Sequence, residues 1–282
     1  MLAERLHRAN GIDLYAVEAG PEDGPLVILL HGFPDFSYGW RHQIGPLAAA
    51  GFRVVVPDQR GYGRSDKPSG LGAYRIPTLG ADVLGLAESC GRERFHLAGH
   101  DWGGIVAWWV AGIYPERIER LAIANAPHPD VLRPYIRRNP GQLLRSSYVA
   151  LFQIPGLPER LLSARRFLAL RRMLQKTSWP GTFTDDELTL YEQAWAEPGA
   201  LTAMLNWYRA LVQRSSPPAG RISAPTRIFW GRRDPALAPG LAEASLAMCD
   251  DGRISWFNEA THWVLQEERR AVGAGLVSFL RG

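Results

Sequence analysis

The sequence predicts an α/β fold: a mostly parallel sheet with helices on both faces, interrupted by a long helical insertion. Three observations predict it. Short apolar runs alternate with helix-like segments through residues 1–129. The alternation stops over residues 130–217, where leucine, arginine and tryptophan recur at helical spacing between prolines. It resumes over residues 218–282. Strands alternating with helices imply parallel pairing with both sheet faces covered.

The elements follow in order. Ile12 to Ala19 alternates with period two and predicts an antiparallel edge hairpin ahead of the parallel strands. Pro25 to Leu30, Phe52 to Asp58, Phe95 to Gly99 and Leu121 to Ala124 are short continuous apolar runs, the pattern of strands buried on both faces. Helices are expected between them at Tyr38–Ala50, Thr78–Ser89 and Trp102–Tyr114. The insertion opens after Asn125-Ala126-Pro127-His128-Pro129 and ends at a breaker, Ser215-Ser216-Pro217-Pro218. Thr226–Gly231 and Arg253–Phe257 predict the last strands, and Glu267–Leu280 a closing amphipathic helix. The layout is one core in two sequence pieces, with a helical lid between them.

The 282 residues, 46% of them hydrophobic, suffice for a large core. Net charge is +4, with 32 basic against 28 acidic residues. The arginines from Arg133 to Arg172 alternate with leucines and read as a solvated helix face. No groove-reading element accompanies them, so nucleic acid is not an expected partner. Cys90 and Cys249 lie in no metal-ligand or redox spacing and read as reduced structural thiols. The first ten residues lack the apolar run of a signal peptide, and no stretch of about 20 apolar residues occurs. A soluble cytoplasmic protein, not inserted in a membrane, is expected.

Chemistry concentrates at strand ends. Ala98-Gly99-His100-Asp101-Trp102-Gly103-Gly104 follows a strand and opens a helix, with glycine two residues before and after Asp101. Small neighbours at those positions permit the sharp turn of a nucleophile elbow. Serine is the usual central residue, and no Gly-x-Ser-x-Gly occurs in the chain. A carboxylate can serve instead by forming a covalent ester. Asp is also a preferred N-cap, so this segment alone leaves both roles open. The partners favour the nucleophile. His262 follows the last strand in Asn258-Glu259-Ala260-Thr261-His262, and Asp234 follows the preceding strand in Gly231-Arg232-Arg233-Asp234. Nucleophile, acid, histidine is the chain order of hydrolase triads on such sheets. Asp130, at the start of the insertion, is the alternative acid. His31 and His100 sit inside turn motifs and are assigned packing or loop-holding roles. The backbone N–H groups of Phe33, in His31-Gly32-Phe33-Pro34, and of Trp102 are placed to face a developing oxyanion.

These segments resemble the soluble epoxide hydrolases of the α/β-hydrolase fold, from about Gly11 to Phe279. His31 to Arg41 looks like their oxyanion-loop motif and Gly99 to Gly104 their nucleophile motif. Pro57 to Asp66 is shared by many relatives of differing chemistry. The resemblance extends to two lid segments. Tyr148 to Gly156 is similar to the one carrying their first epoxide-binding tyrosine, and Leu205-Asn206-Trp207-Tyr208-Arg209 to the one carrying the second. It therefore implies Tyr148 and Tyr208 as donors to the epoxide oxygen. A phenol, with a pKa of about 10, stays protonated at neutral pH and can give up its proton as the C–O bond breaks. Packing on the core is the other reading of either ring. Phe33, Trp102 and Trp207 suggest an apolar pocket. A small hydrophobic epoxide and water are then the expected partners, and no metal or organic cofactor is implied.

Two other readings remain. A haloalkane or haloacid dehalogenase of the same fold also uses an aspartate. Haloalkane enzymes bind halide with the Trp after the nucleophile, here Trp102, and commonly with an Asn where this chain has Phe33; fluoroacetate enzymes typically carry Arg where this chain has Trp102. A non-catalytic small-ligand binder could retain the triad but would have no use for two phenols. A serine esterase is excluded by Asp101.

Overall fold

The computed structural model describes residues 2–212 and 216–282. Among these described residues, eight strands form one sheet in the order β1-β2-β4-β3-β5-β6-β7-β8. They are β1 (Ala3–Ala9), β2 (Ile12–Ala19), β3 (Leu26–Leu30), β4 (Arg53–Pro57), β5 (Phe95–His100), β6 (Ile118–Ala124), β7 (Thr226–Gly231) and β8 (Gly252–Phe257). From β4 to β8 every neighbouring pair is parallel; β1 with β2 and β2 with β4 are antiparallel. The edge hairpin differs from expectation. Ile12–Ala19 is a single strand, and its partner is Ala3–Ala9, joined through Asn10-Gly11. Four of the seven β1 residues are charged or polar and the strand is largely exposed, so it shows no apolar alternation.

The continuous apolar runs serve two cores. Side chains alternate across a strand. Ile28 and Leu30 pack with Leu97 and Val106 on one face, and Val27 and Leu29 pack with Val54 and Val56 on the other. The first face is covered by α2 (Ile76–Ser89) and α3 (Trp102–Ile113), the second by α1 (Arg41–Ala49) and the C-terminal helices. Among the described residues, six helices lie between β6 and β7: α4 (Pro129–Arg138), α5 (Pro140–Arg145), α6 (Tyr148–Phe152), α7 (Leu157–Thr177), α8 (Asp185–Ala196) and α9 (Ala200–Ala210). No strand occurs there among the described residues. Of the expected breaker, Ser215 lies outside the described residues.

Two elements depart from the sequence pattern. The closing helix is split into α11 (Val264–Glu267) and α12 (Arg269–Arg281), and α10 (Gly240–Leu246), unforeseen, links β7 to β8. Among the contacts that tie the insertion to the core, three reach the loops after β3 and β4 and the start of α1. The Trp195 indole N–H donates to the Pro34 carbonyl (2.6 Å) and that of Trp207 to the Arg60 carbonyl (3.0 Å). Arg41 pairs with Glu187 at 2.8 Å.

Candidate active site

Asp101 stands at the turn from β5 into α3 with φ 49° and ψ −120°, a strained conformation for a residue with a Cβ. The glycines on either side are required. A Cβ on Gly99 would enter the backbone of Gly103 and Gly104, and one on Gly103 would strike the carbonyls of Leu30 and His31. Asp101 holds the N-cap position, but its side chain makes no capping hydrogen bond. Oδ1 instead accepts from the Phe33 N–H at 2.8 Å, and the carboxylate also accepts from the Trp102 N–H. The two amides expected at an oxyanion thus meet on the Asp101 carboxylate.

Oδ2 faces His262 Nε2 at 3.6 Å. His262 Nδ1–H donates to Asp234 Oδ2 at 2.7 Å. Asp130 is elsewhere: it accepts from the N–H groups of Ala219 and Gly220 (3.2 and 2.8 Å) and so closes the base of the insertion. Burial works against charge on Asp234, but the positive His262 and its hydrogen bond outweigh it and hold the carboxyl below its ordinary range. Burial also disfavours an imidazolium at His262, yet the carboxylates of Asp234 and Asp101 raise its pKa to about 9. Burial pushes the Asp101 carboxyl upward, only partly offset by His262 and the two amides. His262 therefore lies between two carboxyl groups, Asp234 and Asp101, and both favour its imidazolium form.

The flanking histidines hold loops. His31 is kept neutral by burial, its pKa lowered to about 4. Its Nε2 accepts from the Gln59 N–H and its Nδ1–H donates to the Gly32 carbonyl, both at 3.0 Å. Burial and the charge of His262 push His100 down to about 3, so its Nε2–H donates to the His262 carbonyl at 2.9 Å.

Tyr148 and Tyr208 meet over this site from α6 and α9, their ring centroids 6.0 Å apart. Both hydroxyls are buried, and burial followed by nearby negative charge, that of Asp101 included, holds both phenols well above their ordinary pKa. They stay protonated donors. The Tyr208 ring meets Trp102 edge-on at 5.1 Å and Phe33 at 5.3 Å. Trp207, on the same helix, packs against Trp102 and Tyr62.

Two residues of this site escaped the sequence reading. Phe152, four residues after Tyr148 and so on the same face of α6, touches Phe33, Tyr148 and Tyr208 at once. Asn125, fully buried at the end of β6 with φ 37°, donates through Nδ2 to Asp234 Oδ2 (2.7 Å) and accepts the Gly231 N–H on Oδ1 (2.9 Å). The available signal was its strand-end position beside the acid's strand. Asn125→Ala should leave Asp234 one donor short. Losing a hydrogen bond to a buried charge costs about 1.5–3 kcal/mol, or roughly 10-fold to 100-fold. We expect that loss in turnover, with a lowered melting temperature; unchanged turnover would mean that Asp234 is held by the Ala236 and Leu237 amides alone.

Among the described residues, His7, Glu18 and Cys90 form the one group of three metal-ligating side chains within reach of one another. They lie under the β1–β2 edge of the sheet. The group is already charge-balanced: His7 Nε2 pairs with Glu18 at 2.6 Å and the Arg53 guanidinium lies 3.5 Å from the same carboxylate.

Fold and site define the class first. A family model described as the alpha/beta hydrolase fold matches residues 25–268. The chain is 44% identical over 273 residues to the AB hydrolase superfamily protein YfhM of Bacillus subtilis, with 96% of each chain covered. It is 36% identical over 278 residues to epoxide hydrolase 4 of Mus musculus, covering 96% of this chain and 77% of that one. It is 33% identical to epoxide hydrolase A of Mycobacterium tuberculosis, with 99% and 97% covered. The crystal structure of a Bacillus megaterium epoxide hydrolase in complex with an inhibitor superposes with a TM-score of 0.91 at 30% identity, over 99% of this chain and 100% of that one. Within the α/β-hydrolase fold, this chain belongs to the epoxide hydrolases.

Proposed function

We propose that this enzyme hydrolyses epoxides to vicinal diols through an alkyl ester on Asp101, with residues 130–217 acting as a cap over the site. The observation that carries the reading is the pair of buried, protonated phenols, Tyr148 and Tyr208, close enough to feel the charge of Asp101, with His262 and Asp234 on the carboxylate's other side.

Asp101 Oδ2 attacks an epoxide carbon and the C–O bond breaks. The oxygen leaves as an alkoxide and takes a proton from a phenol, which the second phenol supports. Esterification removes the charge of Asp101, one of the two carboxylates that stabilise the imidazolium. The His262 pKa then falls, and its proton passes through water to the phenolate. Neutral His262 takes a proton from water, which attacks the ester carbon. The resulting oxyanion is Oδ1, already on the Phe33 amide. Collapse breaks the bond from carbon to Oδ2, releases the diol and returns the carboxylate and imidazolium.

The order of bond making sets an isotope test. With enzyme in excess over a hydrophobic epoxide in ¹⁸O-water, a single turnover should give unlabelled diol and place the label in the Asp101 carboxylate. Labelled diol would mean direct attack by water and would sink the ester mechanism.

The dehalogenase reading gains nothing from this geometry. Tyr208 takes a hydrogen bond from the Trp102 side chain, the group that would have to hold a halide, and Phe33 has no side-chain donor to add.

A further inference from the structure

We infer that the outer face of the insertion, from Leu143 to Leu161, docks on an anionic lipid surface. Among the described residues, seven of the eleven exposed large hydrophobic side chains fall between Leu143 and Leu161. Leu144 is 75% exposed and Leu161 50%. Leu144, Tyr148, Leu151, Ile154, Leu157 and Leu161 follow one another at intervals of three or four residues along α5, α6 and the start of α7. Side chains so spaced are neighbours wherever the chain is helical. Singly scattered exposed leucines need no partner, but a run of this length does.

Charge identifies the partner. Residues 131–172 contain nine arginines and one acidic residue, Glu159. Glu159 is consumed by Arg209 at 2.7 Å. Arg166 and Arg171 pair with Glu192. Among the described residues, Arg137, Arg138, Arg160, Arg165 and Arg172 are exposed and have no carboxylate within ion-pair distance. A second copy of the chain, docked about a two-fold axis, would set this arginine-rich segment against itself. Anionic headgroups accept guanidinium hydrogen bonds, while the leucines enter the acyl boundary. No helix of the described residues is long and apolar enough to span a membrane, so the contact is peripheral. The strip includes Tyr148, a residue 39% exposed although its hydroxyl is buried near Asp101. Docking would therefore bring a lipid phase to the pocket mouth; that consequence rests on the epoxide reading, whereas the docking does not.

The test is co-sedimentation of the full chain with vesicles of phosphatidylcholine alone or mixed with phosphatidylglycerol. Each arginine near such a surface contributes roughly five-fold in affinity. We expect binding at least roughly 10-fold stronger to the mixed vesicles, and its loss at high salt. Leu144→Ser with Leu161→Ser, and separately Arg137→Glu with Arg160→Glu, should each weaken it by roughly 10-fold or more while turnover of a water-soluble epoxide stays unchanged. Equal binding to both vesicles, or none, overturns the proposal. So does a lipid-free dimer in sedimentation velocity that the leucine substitutions dissolve, since a second copy would then cover the face. Because sedimentation needs no turnover, a chain inactive on every epoxide would fail the functional reading and leave this result standing.

Discussion

His262→Gln should take up one substrate molecule and then stop. Alkylation needs Asp101 ionised and the phenols protonated; Gln leaves the phenols as they are but removes the charge that favours the Asp101 carboxylate, so alkylation should slow without being abolished. Release of the ester needs a base at the Nε2 position, and an amide has no basicity there. Removing the histidine from a catalytic unit of this kind costs several orders of magnitude, so turnover should fall by roughly 1,000-fold or more. Intact-mass measurement after incubation with an epoxide should show the protein heavier by one substrate mass, and peptide mapping should place it on Asp101. Wild-type turnover in this variant would remove His262 as the base. The same added mass on another residue would remove Asp101 as the nucleophile.

The second large effect belongs to the phenols. Tyr148→Phe or Tyr208→Phe keeps the ring and deletes one donor, so each should lose roughly 10-fold to 1,000-fold, the scale of one transition-state hydrogen bond. The double variant has no donor left for the alkoxide and should be nearly inactive. Its loss need not equal the product of the single losses, because the two rings lie 6.0 Å apart and share one task. Ester hydrolysis should change far less, since it depends on His262 and the amides of Phe33 and Trp102. Single-turnover kinetics with a chromogenic epoxide separates the two halves. Normal alkylation by the double variant would refute epoxide opening, and equal activity of that variant and wild type on a haloalkane would put a dehalogenase in its place.

How much of this was legible depended on whether a residue's role is local. The parallel strands announce themselves because both sheet faces are covered, which leaves short unbroken apolar runs such as Leu26–Leu30. The elbow is legible because its tight turn demands glycine at fixed offsets. β1 is not, because an exposed edge strand whose side chains are mostly charged or polar carries no apolar period. Asn125 and Phe152 were passed over for a different reason. Asn125 matters only through Asp234, 109 residues away, and Phe152 through rings from two other segments, Phe33 and Tyr208. Contacts across such separations leave no spacing to read. Asp130 shows the converse: a carboxylate at a plausible place in the chain order whose partners, the Ala219 and Gly220 amides, are structural.

The two indole contacts bear on how such enzymes can be recombined. Trp195 and Trp207 each supply the hydrogen bond of a core-loop carbonyl, Pro34 beside the Phe33 amide and Arg60 on the next loop. A helical segment transplanted from a relative to change substrate range would have to bring an indole to both places. Without them, each stranded carbonyl would cost about 1–3 kcal/mol, and one of the two lies next to the amide that holds Asp101. The insertion is thus not an interchangeable module. Apart from Tyr148, Tyr208 and the Leu143–Leu161 face, its side chains away from the core are free to diversify, while its inner seam is bound to the loops it covers, and grafts that respect the seam should fold where those cut by sequence length alone do not.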